Sequence, residues 1–271
     1  MPTFTGKTFA SFYKNILGIN QTGNTGVDAT TRTIHDGAGN STSMSLSDDV
    51  LSVQPINDDT TATMLVKNQG GSNILAVDTT NSKVLIGASQ VAANTQYAYF
   101  GADYGTAASF AADVHYAISF NNSPMGSSVL HAMGSSTSSS FNDTNPATSL
   151  TIGTSASSMV QAYWYVPDNI TIDAVYWWHG ADATTGDSTA AHLMAYTVDT
   201  GNGSTGGDLS SGTVVADGAT ITNAGYEQAY YQSMTIQSAD VDAGKVVLFT
   251  FASDTINSDY SINVTVKYHI R

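Results

Sequence analysis

Cysteine is absent from the 271 residues, which rules out a disulfide framework and any thiolate metal site and leaves the redox compartment open. Basic charge is scarce: eight lysines and arginines stand against 22 acids, for a formal net charge of −14. Between Lys83 and Lys245 there is no lysine or arginine. A surface so charged repels phosphate backbones and anionic lipid within a Debye length of about 8 to 10 Å, which excludes nucleic acid and membrane surfaces as main partners. Glutamate occurs once, at Glu227, and Ser, Thr, Asn, Asp and Gly take the place of strong helix formers. Long apolar runs are missing too: the first twenty residues hold no leader-like stretch, and none elsewhere approaches a membrane span. The expectation is synthesis and folding in the cytoplasm, without membrane insertion.

What is present is a turn and strand composition with 41% apolar residues, enough for a sizeable core. All three tryptophans lie between Met159 and Gly180. Trp164 and Val166 alternate with Tyr163 and Tyr165, Pro167-Asp168-Asn169 makes a turn, and Ile170, Ile172, Ala174, Tyr176 and Trp178 alternate with Thr171, Asp173, Val175 and Trp177. This reads as a hairpin with two apolar faces, placed at the centre of a β-sandwich and covered on both sides.

Ahead of it the chain is different. Lys7 to Leu17 predicts a short amphipathic helix with Thr5 as cap and Gly18 as stop; Phe9, Phe12, Tyr13, Ile16 and Leu17 form its stripe. About eleven residues of isolated helix are marginal in water, so the stripe must dock on a copy of itself, on the body of the protein or on another protein; anchoring or trimer contact is the reading taken, since the stretch that follows offers no core of its own. From Asn20 to about Ala93 only short apolar alternations occur, such as Met64-Leu65-Val66, Ile74-Leu75-Ala76-Val77 and Val84-Leu85-Ile86, with turn signals at Asp36-Gly37, Gly70-Gly71 and Asn81-Ser82. Each is too small to make a core alone, and intertwining identical chains about one axis is the usual way to bury such strands.

Gly26 to Asn40, Leu46 to Pro55 and Leu65 to Gly87 resemble the N-terminal modules of bacteriophage fibre and head-decoration proteins. The resemblance covers about the first third of the chain. It implies a homotrimer anchored to other virion proteins through its N-terminus, presenting a C-terminal head at the virion surface, and it transfers no binding residue.

After a transition with the low-complexity loop Gly134 to Ser140, expected to be exposed, about eight strands are expected from Leu150 on: 158–166, 170–179, 189–199, 213–216, 219–223, 229–237, 244–252 and 260–270. The fold class is therefore all-β: residues 1–20 an anchor with a short helix, 21–95 an extended, intertwined trimeric β shaft, and 96–271 a jelly-roll-like sandwich head.

The search for chemistry nominates little. Six histidines have no metal-ligand spacing. His179, near Asp182 and Asp187, is the one weighed for a ligand, and a local strand-end role outweighs it. No carboxylate pair suits glycoside hydrolysis, and no Gly-x-Ser-x-Gly elbow or phosphate loop occurs. The Asp199 to Asp208 loop has calcium-type residues without the EF-hand order. No enzyme activity, cofactor or metal is therefore expected. What remains is a set of rings: Tyr163, Trp164, Tyr165, Tyr176, Trp177, Trp178, Tyr226, Tyr230 and Tyr231. Half must be core by alternation; Tyr176 and Trp178, which share a face, are the candidates for contact with a host-surface glycan, with Trp177 and Val175 inside. The leading expectation is a non-enzymatic, homotrimeric virion protein, on the capsid in preference to the tail because about seventy residues of shaft reach little way. The alternative is a carbohydrate-binding module or sugar-active enzyme borne on a tail fibre.

Overall fold

A computed structural model describes residues 16–19, 21, 26–89, 91–104, 111–121, 131–133, 146–153, 156–182, 185–225, 227–254 and 259–271. The chain is all-β and divides into two compact units, Met1–Ala93 and Asn94–Arg271. Phe9, Phe12 and Tyr13 of the expected helix, the 134–140 loop and Tyr226 lie outside the described residues.

The first unit holds two antiparallel meanders. One is β1 (Gly18–Ile19), β2 (Arg32–His35), β3 (Ser41–Leu46) and β4 (Leu51–Val53); the other is β5 (Met64–Lys67), β6 (Asn73–Asp78), β7 (Lys83–Ile86) and β8 (Val91–Ala92). Short polar side chains close their turns. Asp36 accepts from the backbone N–H groups of Ala38 and Asn40 at 2.9 and 2.8 Å, Asn68 from that of Ser72 at 2.9 Å, and Asp78 from that of Asn81 at 2.9 Å. The expected helix is corrected at its end. Ile16 and Leu17 are non-helical and exposed, because Gly18 does not stop a helix but pairs with His35, and Ile19 with Ile34.

The second unit is a jelly roll. Its eight principal strands are β9 (Thr95–Tyr104), β10 (Tyr116–Ile118), β13 (Ile170–Asp182), β14 (Ser188–Val198), β15 (Leu209–Asp217), β17 (Gln228–Ser233), β20 (Lys245–Ser253) and β21 (Asp259–Ile270). Short additions are β11 (His131–Ala132), β12 (Trp164–Val166), β16 (Ile221–Thr222), β18 (Thr235–Ile236) and β19 (Asp240–Val241). First pairs with last (β9·β21), second with next to last (β10·β20), third with sixth (β13·β17) and fourth with fifth (β14·β15), which yields two sheets ordered β17-β13-β21-β9 and β10-β20-β14-β15. The roll thus begins at Thr95, ahead of the expected eight strands. Residues 158–166 supply only the three-residue β12, preceded by the helical turns α1 (Ala156–Met159) and Val160–Ala162.

The tryptophan stretch is not a hairpin. β12 pairs with β20 in one sheet and β13 with β21 and β17 in the other, so Pro167-Asp168-Asn169 turns a corner between sheets. Val166 and Ile170, both buried, enter the shared core from opposite sides. A β-bulge between Ile172 and Ala174 explains the two apolar faces. An extra residue in one strand shifts the alternation by one. Ile170 and Ile172 before the bulge and Val175, Trp177, His179 and Ala181 after it all point inward, and Tyr176 and Trp178 point out. The bulged Asp173 carboxylate is held by the partner strand, with His269 Nδ1 at 3.0 Å from each oxygen.

Between the sheets Trp177 packs on Phe249 and Phe251, and Trp164 stacks on Phe120 at 5.8 Å. A second core covers the outer face of the β10-β20-β14-β15 sheet, where Met194, Tyr196, Val246 and Leu248 lie under Ile152, Met159, Ala162 and Leu209. Tyr196 donates to the Ala147 carbonyl at 2.8 Å. No such layer covers the other sheet among the described residues, contrary to the expected burial of the tryptophan stretch on both sides.

Trp177 is fully buried and Trp178 is 49% exposed. Trp177→Ala should therefore cost about 3 to 5 kcal/mol as a buried truncation, and Trp178→Ala less than about 1 kcal/mol. Urea melts of the two variants read the difference directly.

Candidate functional site

The bare face belongs to β17, β13, β21 and β9, and its residues lie in register. One row runs Tyr231, Trp178, Asn263, Gly101; the next runs Ser233, Tyr176, Thr265, Tyr99; beyond it Lys267 lies opposite Tyr97. Trp178, Tyr231, Tyr97 and Tyr99 are each about half exposed. Trp178 and Tyr231 have ring centroids 4.9 Å apart, and Tyr231 lies nearly parallel to Tyr176 at 6.5 Å and 16°. The three rings form one strip on the edge pair β17 and β13.

The face also reaches a shallow cleft of about 440 Å³ lined by Asp103, Gly180, Asp182, Glu227, Asp259 and Ser261, among others. Gly180 lies opposite Ser261, one pleat beyond Trp178 and Asn263. A Cβ on Gly180 would stand 2.7 Å from the Ser261 hydroxyl, so a side chain there would crowd the cleft's floor.

The sequence-predicted residues are distributed as follows. Tyr176 and Trp178 are brought together on the outer face. Trp164, Trp177 and Tyr230 pack in the core, Tyr163 belongs to the second core, and Tyr165 is exposed on the short β12 strand. Ile16 and Leu17 are exposed in the first unit. Tyr97 and Tyr99 were missed as members of the face. Their alternation with Ala98 and Phe100 was legible, but the pairing of β9 with the last strand, which carries them to the platform, is not local.

His115, His179 and His192 are buried in the second unit. His179 does not end its strand: it is buried in the inner face, stacked on Trp177 at 4.9 Å and on Tyr230 at 5.1 Å, with the Thr189 hydroxyl 3.4 Å from Nε2. His192 Nε2 lies 3.1 Å from Asp217, and the His115 ring sits edge-on to His192 at 5.0 Å beside the buried Thr250 hydroxyl. Among the described residues no group of three or more His, Cys, Asp and Glu could hold a metal ion. The Asp199 loop satisfies itself. Thr205 and the Gly201 N–H donate to the Asp199 carboxylate at 2.6 and 2.8 Å and lower its pKa, and the Ile152 N–H donates to Asp208 at 2.9 Å. These carboxylates serve as turn acceptors.

No protein-family model matches the sequence, and no curated protein matches it.

Burial lowers the pKa of His179 to about 4 against a partial offset from the Asn223 side chain. The folded state holds the imidazole neutral, whereas the unfolded chain takes up a proton near 6.5. Unfolding therefore binds a proton between about pH 6.5 and 4, so the contribution is whole above 6.5 and lost as pH falls toward 4. It amounts to on the order of 3 kcal/mol. Denaturant melts at pH 7 and pH 4.5 should show His179→Phe losing distinctly less stability on acidification than the wild type.

Proposed function

We propose that the chain is a non-enzymatic structural protein of a bacteriophage particle, a homotrimer joined through its first unit and displaying the jelly roll at the virion surface. The observation that supports this most is the chemistry of the β5-β6-β7-β8 sheet. One face carries Met64, Val66, Leu75, Val77, Val84, Ile86 and Val91; the other carries Leu65, Ile74, Ala76, Leu85 and Ala92. Among the described residues of the first unit, Ala76 is the only buried hydrophobic, while Leu51, Ile56, Met64, Val66, Ile74, Val84 and Ile86 are among those exposed.

Among the described residues no layer covers either face of this sheet, and each such side chain would contribute about 1.5 to 3 kcal/mol once buried, which favours cover by further chains. A twofold dimer uses one self-complementary patch and would leave the second face open. A closed ring gives every chain two different neighbours, and three is the smallest such ring. The likeness of the first third to fibre and decoration modules favours the same reading. So do the short strands: six residues span roughly 20 Å, which suits a protein seated close to a capsid better than a long-reaching tail fibre.

Sedimentation equilibrium of the full chain should give three times 28.3 kDa. Val66→Asp with Ile86→Asp should give monomers that keep the near-ultraviolet signal of the tryptophan core, because a buried charge without a partner costs several kcal/mol. A monomeric wild type would overturn the proposal.

A further inference from the structure

We propose that the bare outer face of the β17-β13-β21-β9 sheet docks an uncharged pyranose glycan, with Trp178 and Tyr231 as its stacking residues. The inference rests on the reading above only in taking the jelly roll to be displayed outward. It needs neither the trimer nor the virion.

Recognition of a pyranose requires aromatic planes for its C–H side and short polar groups for its hydroxyls. The face offers both in alternate positions: Trp178 between Tyr231 and Asn263, and Tyr176 between Ser233 and Thr265 with Tyr99 next along. Tyrosine and tryptophan present large, stiff contact areas at low entropic cost, and Ser, Thr and Asn beside them supply adaptable hydrogen bonds. The core makes no demand for these rings. The bulge at Asp173 sends Trp177 and His179 inward and leaves Trp178 on the outer face, packed on Tyr231 and half in water.

Charge excludes anionic occupants. The second unit has fifteen acids and three bases, a net charge of −12, and Asp103, Asp182, Glu227 and Asp259 stand at the rim of the face. Sialylated, uronic or phosphorylated sugars would be repelled. A second copy of the unit is disfavoured on the same ground, since an isologous contact would bring two acidic rims together without aliphatic contact area in return. A neutral sugar carries no such cost.

Of the three indoles, Trp164 is 6% exposed, Trp177 is buried and Trp178 is 49% exposed, so acrylamide quenching of the full-length protein reads this face alone. The probes are dextran, cello-, chito- and manno-oligosaccharides, with sialyllactose and polygalacturonate as anionic counterparts. At least one neutral series should shift the emission to the blue and reduce quenching, saturably and independently of protein concentration. The anionic sugars should not. Tyr231→Ala, which keeps Trp178 as reporter, should weaken the binding about tenfold with an unchanged melting curve.

Three outcomes would overturn the inference: quenching unaffected by every neutral series, protection that grows with protein concentration in the absence of sugar, or binding that survives Tyr231→Ala and Tyr176→Ala undiminished. Stronger protection by an anionic sugar would overturn it as well. Sedimentation of the same samples separates the two proposals. A trimer without sugar protection retains the fibre reading alone, and protection of a monomer retains the glycan surface alone.

Discussion

The second unit depends on one ladder, the antiparallel pairing of β13 with β21 from Ile170 opposite Ile270 to Asp182 opposite Asp259, interrupted once at Asp173. The bulge is small and its consequences are not. Without it Ile170 and Ile172 would share a face with Tyr176 and Trp178, and the strand could fill the core with only one of its two apolar halves. With it both halves point inward, and the rings left outside become a surface. The His269 contact to Asp173 gives the extra residue a partner on the neighbouring strand, so its carboxylate is not stranded against the sheet. The core and the platform are therefore two sides of the same register choice.

The two units solve the burial problem in different ways. The jelly roll closes on itself, and its β10-β20-β14-β15 sheet is covered on both faces, inside by the partner sheet and outside by Leu150, Ile152, Met159, Ala162 and Tyr163. The described residues of the first unit form regular hairpins with well-made turns and bury one hydrophobic side chain, Ala76. Hydrogen bonding is complete enough in such meanders to fix the backbone, but conformational entropy of about 1 to 2 kcal/mol per residue is offset mainly by apolar burial.

Much of the architecture was legible because its signals are local. Strands 170–179, 189–199 and 260–270 were read close to their observed ends from period-two alternation, and the turns at Asp36-Gly37 and Asn81-Ser82 from their side-chain chemistry. What escaped was nonlocal. Pro167-Asp168-Asn169 looks the same whether it closes a hairpin or turns a corner between sheets, and only the pairing of Trp164 with Val247 and of Ile170 with Ile270 decides it. A bulge leaves no reliable trace in the alternation either. Two apolar faces in one strand were taken as a call for cover on both sides, whereas a phase shift reconciles them with cover on one. Likewise Tyr97 and Tyr99 join Tyr176 and Trp178 only because the first strand of the roll pairs with the last, more than a hundred and fifty residues away in sequence.

The charge distribution connects the two proposals. Five of the eight bases lie in the first unit, where they nearly balance seven acids, and the surplus of negative charge sits on the second. Of the three bases there, Arg271 is engaged with Asp240 and Asp242, and Lys245 donates to Thr197. Three such heads held by a common stem would repel one another, which favours splayed heads with their aromatic faces open over heads packed on those faces. A single exposed platform of this size would bind a neutral sugar weakly, because stacking and a few solvent-exposed hydrogen bonds must offset the entropy of association. Tethering converts the second and third contacts into intramolecular ones, and avidity can then exceed the single-site affinity by about 10² to 10⁴ without any new contact. The two proposals are therefore chemically compatible: a sugar face of low single-site affinity, on a unit of net charge −12, would gain from display in several copies on one stem.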